Sequence, residues 1–368
     1  MLPANSYFLA ITSFRTLCLS RVEMKATTLF SSLLIFLPLL TDGQIWGFGS
    51  EREMYTDYVW EYSMREFTQE EYIVAVERLL KSFEERTDRS LTPGVKRRVG
   101  LKIYTNSGSG IATPVPLVRA VIESLHRRGY RREEIFLLDL NETSLRKSGF
   151  IPILSKGEGI HFEGVPVQVL DRNELYDPVW FYESALYPKG GMPYAPDVLG
   201  PYEKIPGREE RKSYLPKPLL TDVDFWVNMP VAMDHPALGV SGAIGNATLW
   251  NISNRERFFF SASNAPIAAA EIAAIPEIVA SLAVTIMPLE CYQFIGGPVF
   301  NSLYTRSERR LWMSVNPVIL DALVLERINL HRNNTGFQNL GDNLPLLHFA
   351  ESLGLGTGNT MQVRWIRF

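Results

Sequence analysis

Two short apolar segments flank one amphipathic segment in the first half of the chain. Residues 99–104 predict a strand, and a polar loop that contains two glycines follows at residues 105–110. A helix is expected next, because Thr113 can cap it and Pro114 suits its first turn. Residues 135–140 are almost entirely apolar, which is typical of a strand in a buried parallel sheet. This order of elements predicts a right-handed crossover unit.

Apolar and helical segments continue to alternate along the rest of the chain. Residues 165–170 and 223–229 predict further strands, and residues 361–366 predict a strand at the edge of the sheet. Helical segments, one of them rich in alanine, lie between the last two of these strands. We therefore predict an α/β fold with a mainly parallel central sheet and helices on both faces, plus a long irregular insertion.

The N-terminal region resembles a secretory signal. Residues 29–40 are apolar apart from two serines, and Lys25 precedes them. The run is too short to span a bilayer, which takes roughly 20 apolar residues, but it has the length of a signal-peptide core. We predict a leader at residues 1–43 for the general secretory route, with Met24 as an alternative start. The protein would then be periplasmic or secreted; the alternative is a membrane anchor through an uncleaved signal.

The remaining sequence divides into an extension and one large domain. Residues 44–94 predict an N-terminal helical extension, because apolar residues recur at helical spacing from Thr68 onward. Residues 95–368 predict a single α/β domain. Residues 176–214 are rich in proline and glycine, and we interpret them as a surface excursion of this domain.

Charge and cysteine content exclude several classes of function. The chain has 37 Lys and Arg against 40 Asp and Glu, which gives a net charge of −3 and no basic excess for binding nucleic acid. No segment after the leader is long and apolar enough to predict a membrane span. Cys291 is the only cysteine after residue 43, so we predict no iron–sulfur cluster, which needs several cysteine ligands. The sequence does not indicate whether another cofactor is bound.

Several motifs of this chain occur in an order that is similar to one known family. They are Gly100-Leu101-Lys102 with Asn106; residues 116–122 and 135–139; residues 222–230 with His235 and residues 242–246; Asn316-Pro317-Val318 with Asp321-Ala322; and residues 350–356. In this order, across residues 95–360, they resemble domain-of-unknown-function family 362. The resemblance implies a bacterial or archaeal α/β protein, frequently exported, whose biochemical role is largely unassigned. Some relatives are fused to ferredoxin-like modules.

Three positions depart from the pattern that the resemblance implies. Met233 and Gly245 stand where that family usually has lysines, and Asn316 stands where it usually has an aspartate. The loss of two cations favours a non-catalytic binding protein over an active enzyme.

The loop after the first predicted strand is a candidate ligand-binding loop. It comprises Asn106, Ser107, Gly108, Ser109 and Gly110. Glycines let backbone N–H groups approach a ligand, and the start of the next helix favours an anion. The loop matches neither the P-loop nor the dinucleotide fingerprint, so we expect a small anionic or polar ligand, with an ordinary turn as the alternative.

Three titratable residues are candidates for catalysis. Asp139 and His235 lie at or just beyond the ends of predicted strands, where open parallel sheets bind ligands, and Asp321 lies in a later helix. Together they could transfer protons or bind a metal, whose identity the sequence does not indicate. Asn246 is a further candidate ligand-binding residue. The alternative is that each of the four only caps a helix or holds a turn.

The sequence therefore supports three hypotheses for the function of this protein. The first is an exported small-molecule enzyme, or a degraded one, with its site at the carboxyl ends of the strands. The second is an extracytoplasmic binding protein that uses the same cleft without catalysis. The third is an envelope protein that contacts a partner through residues 176–214.

Overall fold

A nine-stranded sheet lies at the centre of the protein, which we describe from a computed structural model. The structure describes residues 56–152, 160–172, 174–184, 211–259 and 263–368, all within one unit, Trp46–Phe368. The predicted leader lies outside the described residues. In the described part of the chain, no helix is long and apolar enough to cross a membrane.

The described residues contain fifteen strands and ten α-helices. The strands are β1 Tyr58–Ser63, β2 Val99–Lys102, β3 Ile135–Asp139, β4 His161–Phe162, β5 Val165–Val169, β6 Tyr176–Glu183, β7 Lys212–Pro216, β8 Phe225–Asn228, β9 Ala232–His235, β10 Gly239–Ser241, β11 Leu282–Pro288, β12 Tyr292–Gln293, β13 Thr305–Arg306, β14 Arg310–Ser314 and β15 Arg364–Arg367. The helices are α1 Gln69–Thr87, α2 Val115–Arg127, α3 Glu142–Lys147, α4 Lys217–Leu220, α5 Ala243–Ala247, α6 Glu256–Phe259, α7 Asn264–Ala273, α8 Pro276–Ser281, α9 Pro317–Asn334 and α10 Pro345–Ser352.

The nine strands of the central sheet follow the order β15-β1-β14-β11-β8-β2-β3-β5-β4. Five neighbours in the middle, β11, β8, β2, β3 and β5, pair in parallel. β14 is antiparallel to both of its neighbours, and β4 is antiparallel to β5. The predicted α/β class is therefore confirmed, with a large mixed sheet that is mostly parallel.

The order in which the chain adds parallel strands to the sheet reverses in the middle of the sheet. From β2 the chain passes outward on one side to β3 and then β5, and it returns to the other side of β2 for β8 and then β11. This is the strand order 3-2-1-4-5. Open sheets of this order bind ligands where the reversal leaves a crevice at the carboxyl ends of the strands, which here is between β2 and β8.

Two hydrophobic clusters meet at the central sheet, and β3 and β8 contribute side chains to both. In β3, Phe136 and Leu138 belong to one cluster, and Ile135 and Leu137 belong to the other. Alternation of this kind follows from the pleat of a strand, which points successive side chains to opposite faces. Side chains of α7, α9 and α10 belong to the first cluster, and those of α1 and α2 belong to the second.

The segment expected as a helical extension contributes a strand to the central sheet. β1 is antiparallel to β14 and parallel to β15, with Trp60 opposite Met313 and Ile366. Trp60 is fully buried, and the helix that was expected from Thr68 is present as α1. This part of the chain is therefore integral to the sheet. The edge strand expected at residues 361–366 is present as β15 but begins only at Arg364, because Thr360–Gln362 form a 3-10 helix.

The predicted surface excursion is described only at its two ends. β6 and β7 pair with each other as a separate antiparallel ribbon. Residues 185–210 lie outside the described residues, so the irregular insertion stays a prediction.

Asn316, one of the departures noted above, joins three separate segments at the start of α9. Its side-chain oxygen accepts hydrogen bonds from the N–H groups of Val318 (2.8 Å) and Ile319 (3.2 Å). Its amide nitrogen donates to the carbonyl groups of Thr56 (2.7 Å) and Thr357 (2.8 Å). An aspartate could cap the helix but could not donate to these two carbonyls.

We predict that Asn316→Asp lowers the free energy of unfolding by about 2–4 kcal/mol, because it places a buried carboxylate against two carbonyl oxygens. Urea unfolding followed by circular dichroism measures this change. The matched control is Asn359→Asp, since Asn359 is exposed and its side chain only accepts a hydrogen bond, from Met361 N–H. Equal stability of the two variants would contradict the role assigned to the Asn316 amide.

Candidate functional site

A buried lysine lies at the carboxyl end of β2, beside the reversal of strand order. Lys102 has no exposed surface. Its Nζ lies 2.9 Å from Asp139 Oδ1 and donates to Asn246 Oδ1 at 3.0 Å. It also donates to the carbonyl oxygen of Ile103. An ammonium group has three N–H donors, so these three acceptors use all of them.

Asp139 connects this lysine to the predicted ligand-binding loop. It is the last residue of β3 and has no exposed surface. The Thr105 hydroxyl donates to its Oδ2 at 2.7 Å, and Asn106 Nδ2 lies 3.4 Å from its Oδ1. The carboxylate therefore holds the start of the loop against the ends of two strands.

Asn246 connects the same lysine to β8 and to β11. Its Nδ2 donates to Asn228 Oδ1 at 2.8 Å. Asn228, the last residue of β8, in turn donates to Ala243 O at 2.8 Å and to Thr285 Oγ1 at 3.2 Å. We call these side chains (Lys102, Thr105, Asn106, Asp139, Asn228, Asn246 and Thr285) the Lys102 network. It ties four neighbouring strands and α5 together at one edge of the sheet.

Burial dominates the electrostatics of the Lys102 network. Removal from water lowers the pKa of Lys102, while the charge of Asp139 and its hydrogen bond oppose this shift. The nearby charge of Arg255 lowers the pKa of Lys102 further. The net effect is a pKa below the ordinary lysine range.

Thr113, which was expected to cap α2, has a different role. Pro114 is the cap residue of α2, and no side chain caps this end of the helix. The Thr113 hydroxyl instead accepts from Tyr104 N–H at 2.8 Å and donates to Met229 O at 2.6 Å. Tyr104 lies two residues after β2 and Met229 lies directly after β8, so Thr113 bridges the two strands at the reversal.

An open cleft of about 230 Å³ lies beside Thr113. Its lining includes Ser109, Gly110, Thr113, Val115, Glu290 and Cys291. These residues come from the loop after β2, the start of α2 and the turn after β11, and Val231 adds a contribution from the segment after β8. The cleft therefore lies where the strand order predicts a ligand crevice.

The candidate loop is shaped by a tight turn. Gly108 has a φ of 93° and donates to Thr105 O at 3.0 Å, a conformation that glycine adopts without strain. The Ser107 hydroxyl lies 2.7 Å from the Tyr104 hydroxyl. A side chain at Gly110 would overlap the ring of Phe300. The turn directs Ser109 and Gly110 to the cleft and leaves Asn106 in the Lys102 network.

Glu290 and Cys291 place a carboxyl and a thiol in the cleft. The Tyr72 hydroxyl donates to Glu290 Oε2 at 2.7 Å, and burial raises the pKa of Glu290. The Cys291 thiol donates to Gly110 O at 3.5 Å. Burial, and to a lesser degree the charge of Glu290, raises the pKa of Cys291. Both pKa values therefore lie above their ordinary values.

His235 is bonded to backbone groups outside the Lys102 network. Its Nδ1 accepts from the N–H groups of Ala237 (3.1 Å) and Leu238 (3.3 Å). Burial lowers the pKa of His235 to about 4, so the ring is neutral near pH 7. This geometry matches the alternative of a histidine that holds a turn, here between β9 and β10.

Asp321 also lies outside the Lys102 network and binds backbone N–H groups. Its two carboxyl oxygens accept from Ala243 N–H at 2.5 Å and Ile244 N–H at 3.0 Å. Burial raises the pKa of Asp321 to about 7, although both hydrogen bonds oppose the shift. Asp321 thus holds the start of α5, the helix that carries Asn246.

The structure therefore brings together only part of the predicted site. Asp139, Asn106 and Asn246 meet around Lys102, whereas His235 and Asp321 bind separate backbone groups. In the described ranges, no group of three or more His, Cys, Asp and Glu side chains could hold a metal ion. The catalytic roles of Asp139, His235 and Asp321 stay predictions.

Sequence reasoning missed Lys102 and Glu290 as site residues. Lys102 carried one usable signal, because a lysine at the end of an apolar strand is unusual unless a partner is buried with it. Glu290 carried none, since only the approach of Tyr72 from a distant helix identifies its environment.

No family model, no curated protein and no solved structure matches this chain. The resemblance to domain-of-unknown-function family 362 accordingly stays a prediction.

We predict that Lys102→Met lowers the free energy of unfolding by about 3–5 kcal/mol, because it removes the cation that pairs with the buried Asp139 carboxylate. Chemical denaturation measures the change. Lys81→Met is the control, because Lys81 is 68% exposed in a surface pair with Glu85 and should change stability by less than about 0.5 kcal/mol. A small effect at both positions would contradict a charged pair at Lys102.

The raised pKa of Asp321 predicts a specific pH dependence of stability. The folded chain holds this proton more tightly than the unfolded chain, so ionisation opposes folding. Relative to Asp321→Asn, the wild type should lose up to roughly 4 kcal/mol as the pH rises from the ordinary value of 3.8 to about 7. Unfolding curves of both proteins across this range test the prediction. A difference that grows with pH in favour of the wild type would show a lowered pKa instead.

Proposed function

We propose that this protein binds a small polar molecule, without catalysis, in the cleft between the ends of β2, β8 and β11. The observation that carries the proposal is the position of the cleft at the reversal of strand order, where open parallel sheets bind their ligands. The cleft is somewhat smaller than the roughly 300–1,000 Å³ that is usual for drug-sized ligands. This size favours a small metabolite.

The lining of the cleft favours a ligand that carries an acidic group at one end and a hydroxyl or amine at the other. The first turn of α2 has no side-chain cap, and free N–H groups at a helix start favour an acidic or strongly accepting group. Glu290, whose Oε2 is engaged by Tyr72, offers a carboxyl group for a hydroxyl or an amine. The proposed ligand is therefore a small hydroxy acid, amino acid or similar compound.

Three observations support binding over catalysis. The thiol of Cys291 has a raised pKa and is a weak nucleophile near pH 7. Lys102 does not line the cleft, and its three N–H donors bind groups of the chain itself. His235 is buried, neutral and bonded to backbone. Met233 and Gly245, at positions where the resemblance implies lysines, point in the same direction.

We also propose that helices cover both faces of the central sheet and that binding takes place outside the cytoplasm. The two hydrophobic clusters, each with its own helices, support the first statement. The apolar residues 29–40 support export through a secretory signal, with an uncleaved anchor as the alternative. The net charge of −3 gives no support for nucleic acid as a partner.

We predict that thermal unfolding in the presence of a panel of small hydroxy acids and amino acids identifies stabilising compounds. A ligand at 100 times its Kd adds about 2.7 kcal/mol, which corresponds to a rise in Tm on the order of 5 °C. Ser109→Trp, which fills the cleft, should abolish this rise.

The matched control is Ser302→Trp, because Ser302 is equally an exposed serine but does not line the cleft. This variant should keep the full rise in Tm. Stabilisation that survives in Ser109→Trp would place the ligand elsewhere, and a panel without any stabilising compound would overturn the proposed ligand class.

A further inference from the structure

We propose that Lys102 and Asn246 become joined by an intramolecular amide bond between their side chains, with Asp139 as the group that relays the proton. The bond would form within the folded chain and release ammonia. This modification is independent of the ligand proposed above, because no residue of the Lys102 network lines the cleft.

The first support is the approach of the two reacting groups. Lys102 Nζ lies 3.0 Å from Asn246 Oδ1, and the carbonyl carbon is one covalent bond behind that oxygen. Lys102 belongs to a strand that is paired on both sides. Asn246 is held by Asn228, which accepts from its Nδ2 at 2.8 Å. Reacting groups fixed in this way gain a large advantage over groups that meet by diffusion.

The second support is the exclusion of water. Lys102 and Asp139 are 0% exposed, and Asn246 is 1% exposed. An amine attacks a carbonyl carbon only in its neutral form, and burial lowers the pKa of Lys102 toward that form. The absence of bulk water also protects the new bond and the tetrahedral intermediate from side reactions.

The third support is the position of a base beside the amine of Lys102. Asp139 Oδ1 lies 2.9 Å from Lys102 Nζ and takes one proton from the ammonium group. The lone pair of the amine then forms a bond to Asn246 Cγ, and the bond from Cγ to Nδ2 breaks. A second proton of Lys102 passes to the departing nitrogen, which leaves as ammonia. The third proton stays on the new amide, and Asp139 ends protonated or returns its proton to the ammonia.

Asn246 is a better partner for Lys102 than Asp139 itself. The Asp139 carboxylate accepts from Lys102, Thr105 and Asn106, which places it as a hydrogen-bond acceptor beside the amine. A carboxylate is a poor electrophile, whereas a side-chain amide is neutral. The step needs no oxidant, metal or further reactant.

Mass spectrometry of the purified full-length chain tests the proposal directly. After denaturation and digestion, trypsin should fail to cut at Lys102. Residues 99–119 should then appear joined to residues 213–255, with a mass equal to the sum of the two peptides minus one ammonia. Separate peptides with a cut after Lys102 would overturn the proposal. A loss of water, with Lys102 joined to the peptide that carries Asp139, would also overturn it.

Single substitutions test which residues take part in forming the amide bond. Asn246→Ala should abolish the joined peptide, and Asp139→Asn should reduce its yield at least tenfold. Asn329→Ala is the matched control, because Asn329 is a buried asparagine that bonds Gly341 O and Leu340 N–H rather than Lys102. It should keep the full yield. Since the wild-type digest decides the question alone, a variant that fails to fold leaves the test intact.

Discussion

Lys102 lies in the middle of the sheet, fully removed from water, and much of the surrounding architecture satisfies its ammonium group before any bond to Asn246 forms. A buried charge is tolerated only when it is paired and hydrogen-bonded. Asp139 supplies the opposite charge from β3, and Asn246 supplies an amide oxygen from α5. Asp321 then holds α5 in place through backbone N–H groups. Removal of Lys102, Asp139 or Asn246 would leave a neighbouring buried group with fewer hydrogen-bond partners.

The same arrangement accounts for the shape of the cleft. Thr105 and Asn106 are fixed on Asp139, so the loop after β2 starts from a rigid point. Gly108 then turns the chain, and Ser109 and Gly110 reach the cleft. A rigid scaffold that presents a short loop is the usual way in which α/β proteins form ligand sites. The buried network therefore acts as a support for the cleft rather than as its chemistry.

The sequence predicted the parts of the fold that follow from local pattern. The crossover from β2 through α2 to β3 was predicted correctly, because apolar runs and helical spacing are local signals. β1 was missed because its burial depends on pairing with β14 and β15, which lie far along the chain. Thr113 was assigned to the helix start, since a cap and a bridge between strands use the same hydroxyl. The partners of His235 and Asp321 depend on three-dimensional contacts that spacing does not encode.

β1 lies between β14 and β15 and shields hydrogen-bonding edges on both of them. A shortened chain that began near residue 95 would lose this strand and would present β14 as a bare edge. Bare edges recruit strands from other molecules and lead to aggregation. Trp312, whose ring nitrogen donates to Glu61 at 2.9 Å, would lose its buried partner at the same time. The smallest fragment that folds without aggregating must therefore begin before Tyr58.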